Sequence, residues 1–213
     1  MPETFGALLR GWVGAACREW GYPEPGEDYY ERIFRRLPEG LCTLLAVGVK
    51  EGSIIPQGPK FTLKDLPQGK GPYAWFSRRS APKEPSPNWE YFVQAAEFVR
   101  LSHIAESQGL TVTFEDQLMD LTLYRDGRLV VCCEVKERAS QIQELASKLR
   151  VYGEGVNLSQ PDRGNDPLRK AKYLVRRRPE YLSLIAIGVR FEYRVLYLKG
   201  RTFELVRDVI PWV

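Results

Sequence analysis

Histidine is almost absent: the 213 residues contain one, His103. Zinc sites built on several histidines are thereby excluded. The four cysteines, Cys17, Cys42, Cys132 and Cys133, fall at spacings that match no zinc pattern. Cys132 and Cys133 stand inside an apolar run and read as buried strand residues, so a reducing, cytoplasmic setting is the expectation. No apolar run approaches the length of a membrane span, and no membrane association is expected. The first residues lack the basic-then-apolar texture of a signal peptide. Internal repeats and low-complexity segments are also missing. The charge excess is small, +4, which permits a nucleic-acid partner without requiring one.

What is present supports a packed protein. Hydrophobic residues make up 44% of the chain. Its length suits one well-filled core, or a core plus a small accessory domain. A first helix is expected over residues 5–20, capped by Thr4, and a second over residues 28–37. Residues 41–49 are apolar and fit either a strand or a buried helix. From Gly52 to Pro87, proline and glycine recur (Pro56, Gly58, Pro59, Pro67, Gly69, Gly71, Pro72, Pro82, Pro85), which reads as a long connection with one short strand near Phe61. A boundary is placed there, giving an extension over residues 1–85 and a second domain over residues 86–213.

Ser86-Pro87 is expected to open a helix running to about Gln108, with His103 on its apolar stripe. Strands follow at residues 110–114, 118–124 and 129–136. The last two are joined at Asp126-Gly127. Helices over residues 140–152 and about 166–178, then strands over 182–191, 193–198 and 202–206, complete an α/β pattern with a mixed sheet.

The chemistry gathers around Asp120 and the Glu134-Val135-Lys136 strand end. Alternation puts Glu134 and Lys136 on one face. Asp120 shares that face only if the hairpin register permits. A two-residue loop at Asp126-Gly127 places Asp120 opposite Cys133, on the wrong face. A three-residue loop, Arg125-Asp126-Gly127, or a bulge with the same effect, restores it. One of those is the expectation. Two neighbouring carboxylates call for a cation, and magnesium, hard and tolerant of several waters, is the natural one. An ammonium two residues further on would orient water or offset charge at a phosphate.

Asp, hairpin, then Glu-x-Lys resembles the PD-(D/E)XK nuclease superfamily. The resemblance spans about residues 86–187. It implies a restriction-endonuclease-like α/β fold whose mixed sheet is flanked by helices, here with a mostly helical N-terminal extension. It also implies magnesium-dependent hydrolysis of phosphodiesters, with manganese able to substitute, and DNA preferred over RNA. Endonucleolytic cutting, often by a homodimer, is the expected mode. On the residues, Asp120 and Glu134 would bind metal, the Val135 carbonyl would add a ligand, and Lys136 would serve the attacking water. The upstream helix glutamate matches Glu97, with Glu90 the alternative; Asp116 is an alternative acid near Asp120. Met119 stands where the superfamily has proline. Lys148 stands where an exonuclease branch has the glutamine of Gln-x-x-x-Tyr, ahead of Tyr152. Gln143 remains a polar contact at the start of that helix.

Two basic stretches extend this reading. Lys70, Tyr73, Trp75, Arg78 and Arg79 combine cations with rings, which suits phosphate contact and base stacking; core packing of the rings is the equal alternative. Arg169, Lys170, Lys172, Arg176, Arg177 and Arg178 crowd one helix and suit phosphate contact, against the plainer role of a solvated face. Residues 1–85 match no known pattern and are assigned effector binding, substrate recognition or dimerisation. The rival readings are a nucleic-acid-binding or assembly protein that keeps the fold without chemistry, and a protein-interaction module.

Overall fold

The computed structural model describes residues 3–66, 70–81 and 83–211. Pro67, Gly69 and Pro82, assigned above to the long connection, lie outside them. The chain is α/β, with six helices among the described residues and a mixed sheet of six strands. It divides into two compact units, Met1–Arg100 and Leu101–Val213. The division falls inside a helix, beyond the boundary expected at residue 85.

In the first unit, Phe5, Leu9, Trp12, Val13, Ala16 and Cys17 recur at helical spacing and all are buried on α1 (Glu3–Trp20). Thr4 lies within α1 rather than capping it. Next come α2 (Glu27–Arg36) and α3 (Glu39–Glu51), so residues 41–49 are helical. The proline- and glycine-rich connection is not bare loop. It holds short strands β1 (Ile54–Gln57), β2 (Lys60–Leu63), β3 (Tyr73–Ala74), β4 (Phe76–Ser77) and β5 (Ser86–Pro87). The following helix, α4, is Trp89–Gln108; Ser86 is therefore in a strand, not at a cap.

The described part of the connection is organised around its rings. Trp75 is wholly buried, stacked between Trp12 (centroids 4.6 Å apart) and Phe61 (3.9 Å). Tyr73 is buried against Phe61 and Tyr91. The expectation that Tyr73 and Trp75 stack bases is thereby corrected: neither ring has a face open to a ligand, and burying them is worth more than exposing them. His103, expected in the core, is exposed on α4.

In the second unit the sheet runs β11-β10-β9-β8-β7-β6. The strands are β6 (Thr111–Asp116), β7 (Met119–Arg125), β8 (Arg128–Val135), β9 (Tyr181–Ala186), β10 (Val189–Tyr197) and β11 (Phe203–Arg207). The run expected as one strand over residues 182–191 is broken by a turn with Gly188 at φ 72, giving β9 and β10. All pairs are antiparallel except β8 with β9, which the helices α5 (Ala139–Gly153) and α6 (Asp166–Arg177) join by a crossover. β9 is buried throughout and β8 from Leu129 onward, as parallel neighbours covered on both faces must be.

Packing on one face is tight where α5 ends. A Cβ on Gly153 would stand 2.4 Å from the Phe203 carbonyl oxygen, a backbone atom that cannot swing aside. Gly153→Ala is expected to destabilise the chain by about 1–3 kcal/mol in urea denaturation. An unchanged midpoint would mean that α5 and β11 are not held at this separation.

Candidate active site

The β7–β8 hairpin turns on two residues, Asp126 (φ 50) and Gly127 (φ 76), both left-handed as a type I′ turn requires. The three-residue loop is therefore absent. Arg125 pairs with Arg128 and Tyr124 with Leu129, but Leu123 pairs with Val131. Val130 is the extra residue of a bulge, and it shifts every later pair by one. Leu121 then faces Cys133, and the same register carried one step further sets Asp120 directly opposite Glu134. Directly opposed residues point to the same face, about 4.5–5.5 Å apart at Cβ. The bulge is the second of the two expected routes to one face, and it replaces the three-residue loop.

The side chains meet accordingly. Asp120 Oδ2 accepts a hydrogen bond from the Val135 amide at 2.6 Å. Glu134 is 1% exposed, at the base of the site. Its Oε1 lies 2.6 Å from Lys136 Nζ. Lys136 follows the last residue of β8, its amide tied to the Ile185 carbonyl at 2.8 Å, and its side chain is partly open to solvent. Burial, and next the Glu134 carboxylate, push the Asp120 carboxyl up to about 8; the Val135 amide, Lys136 and Lys170 pull it the other way.

Lys170 was expected at a phosphate-binding surface and is instead 5% exposed. From α6 its Nζ reaches 2.8 Å from Glu134 Oε2 and donates to the Leu118 carbonyl at 2.9 Å. That oxygen is buried, with an ionic neighbour and no hydrogen bond. Lys172 is likewise buried, pinned to the Gln160 carbonyl and, at 3.1 Å, to Asp162. It holds the loop before α6 and is not free for phosphate. A helix rich in cations therefore presents only part of its charge to water: Arg169, Arg176 and Arg177 are exposed. Arg177 donates to Tyr124 Oη at 3.2 Å.

The remaining expected residues have surroundings of their own. Glu97 lies in the first unit, buried and paired with Arg100 at 2.9 Å. Asp116 is not grouped with the trio; its Oδ2 accepts from Tyr124 Oη and, at 3.1 Å, from Thr122 Oγ1. Gln143 and Lys148 are exposed on α5, Lys148 bound to Glu144 at 2.6 Å. Arg78 and Arg79 are exposed and Lys70 half-buried. Sequence reasoning placed Asp120, Glu134 and Lys136 together and assigned Lys170 elsewhere. Nothing near Lys170 in the sequence announces an inward side chain; its partner, Glu134, lies on another element.

Among the described residues no group of three or more His, Cys, Asp or Glu side chains could hold a metal ion. The site offers two carboxylates, one with a buried oxygen lacking a hydrogen bond. That donor set fits a hydrated magnesium ion, which takes one or two carboxylates and keeps its waters, and does not fit an all-protein cage. No family model matches the chain, and neither a curated protein nor a solved structure matches it. Among the described residues no helix is long and apolar enough to cross a membrane.

Proposed function

We propose that the chain is a magnesium-dependent nuclease of the PD-(D/E)XK type that hydrolyses phosphodiesters, DNA ahead of RNA. The observation that carries the reading is the bulged register that sets Asp120 opposite Glu134 while Lys136 stands on Glu134. The order of elements supports it too: one helix, a three-strand meander, and a helical crossover to a fourth strand parallel to the third. On this reading the fold is restriction-endonuclease-like.

Asp120 and Glu134 would hold the ion, with Val135 contributing its carbonyl. When bound, the ion supplies electrophilic stabilisation of a phosphate and makes water more acidic. Glu134 fixes the Lys136 ammonium, the partly exposed cation of the trio, at the mouth of the site. There Lys136 orients water or a phosphate oxygen, a placement set before substrate arrives. The Val135 amide holds the Asp120 carboxylate in position. Arg169 and Arg176 on α6 contact phosphates without reading sequence. Two copies would let both strands of a duplex be cut, and residues 1–85 would serve pairing, an effector or substrate recognition.

A second reading has an observation of its own. Two ammonium groups already neutralise Glu134, which suits a fold that binds nucleic acid without cutting it. One assay separates the two. Purified protein meets closed-circular and linear DNA, single-stranded DNA and RNA, with magnesium, manganese or EDTA. Metal-dependent cutting is expected, reduced about 10²–10³-fold by Lys136→Ala. Binding without cutting, equal in wild type and Lys136→Ala, would establish the second reading.

A further inference from the structure

A buried ammonium beside a carboxylate that would serve as a metal ligand is a competitor for that ligand. Lys170 is such a group. Its side chain is 6% exposed, and its Nζ stands 2.8 Å from Glu134 Oε2, the oxygen that makes no hydrogen bond. The other oxygen is taken by Lys136 at 2.6 Å. Glu134 therefore has an ammonium group against each of its oxygens without any ion.

Lys170 is not held by Glu134 alone. Its Nζ donates to the Leu118 carbonyl at 2.9 Å and lies 3.4 Å from Asp166 Oδ1, one turn back on α6. Asp166 is exposed, and Asn165 fixes the start of the helix by accepting from the Leu168 amide at 3.1 Å. The ammonium therefore has a second carboxylate within reach when Glu134 is claimed by another cation. The flexible four-carbon stem of lysine allows the move without shifting the helix.

We propose that Lys170 is a built-in counter-cation of the Asp120–Glu134 site, which a divalent ion must displace from Glu134 to bind. The inference rests on the nuclease reading and deepens it: metal occupancy is set by a contest between the ion and a lysine of the chain itself. Lys170 acts through Glu134 and is a positioning residue, not a catalytic one. Its effect is on metal affinity: the site stays empty of metal, and folded, until the divalent concentration is high.

Manganese binding to the full chain, followed by the electron-paramagnetic signal of the free ion, tests this without any turnover. Lys170→Met is expected to bind manganese about tenfold or more tightly than wild type, since one positive charge beside a divalent ion is gone. Lys170→Gln, which keeps a donor for the Leu118 carbonyl, should shift affinity the same way and covers poor folding of the methionine variant. In wild type, the side-chain ammonium resonance of Lys170 should move or exchange away as magnesium is added. Equal or weaker manganese binding in both variants, or an ammonium signal unmoved at saturating magnesium, overturns the proposal and leaves the metal site standing. No manganese binding by any folded form, wild type included, overturns the nuclease reading and this inference with it.

Discussion

Glu134→Ala is expected to cost about 3–5 kcal/mol of folding stability, the loss that follows when one partner of a buried ion pair is removed. Glu134 and Lys170 are 1% and 5% exposed. Without the carboxylate, the ammonium keeps the Leu118 carbonyl and an Asp166 oxygen at 3.4 Å, too little to replace what water would give it. Lys136 adds less to the loss, because its side chain is 24% exposed and can turn to solvent. Glu134→Gln keeps the shape and should lose less. Urea denaturation at pH 7 without metal, read by circular dichroism, measures all of this. A loss under about 1 kcal/mol would mean that Lys170 does not depend on Glu134, and would sink the account of the site's interior.

Asp120→Asn should do the reverse to stability while abolishing cleavage. The Asp120 carboxyl is pushed up to about 8 in the folded chain, against about 4 when unfolded. The folded state therefore binds the proton more tightly. The stability this confers is fully present below about pH 4 and is lost as pH rises through about 8. At pH 8–9 without metal, wild-type Asp120 is a liability. Asparagine, whose carbonyl can still accept from the Val135 amide, should stabilise the fold by on the order of 1–3 kcal/mol, a figure reduced because the side chain is only half-buried. Magnesium should invert the order, stabilising wild type and leaving Asp120→Asn unmoved, since a bound cation favours the ionised carboxylate. Thermal melts of both proteins across pH, with EDTA or magnesium, read every arm. If asparagine lowers the melting temperature at pH 8–9, burial and the neighbouring Glu134 do not weigh on the Asp120 carboxylate as the geometry implies.

The parts of this site that sequence discloses are those that depend on chain-local periodicity. Glu134 and Lys136 share a face because they are two apart on a strand, and Asp126-Gly127 announces its turn. Val130 is illegible: one apolar residue in the run from Leu129 to Val131 looks like its neighbours, and only the β7–β8 register shows that no β7 residue stands opposite it. Lys170 and Lys172 were hidden by their own charge. Residue type places a lysine at the surface, and what overrides it is an acceptor distant in sequence, Glu134 for one and the Gln160 carbonyl for the other. Trp75 and Tyr73 were masked by flanking prolines and glycines, which describe the backbone and are silent on where a ring is sheltered. Residues 41–49 were ambiguous because a short, almost wholly apolar run has no polar face to report its period, although only Cys42, Leu45 and Gly48 of it are buried.

The bulge at Val130 has a consequence for the history of such a chain. Faces of a strand alternate, so the hairpin between Asp120 and Glu134 works as a parity bit. If the turn and the bulge stay as they are, adding or deleting one residue there sends one carboxylate through the sheet to the other side, and a second such change anywhere in the same stretch brings it back. With turn and bulge kept as they are, descendants that hold both acids on one face are therefore confined to even changes in the length of this stretch. A lineage that fixes an odd one keeps its fold, its acids and its lysine, and has silently lost their encounter.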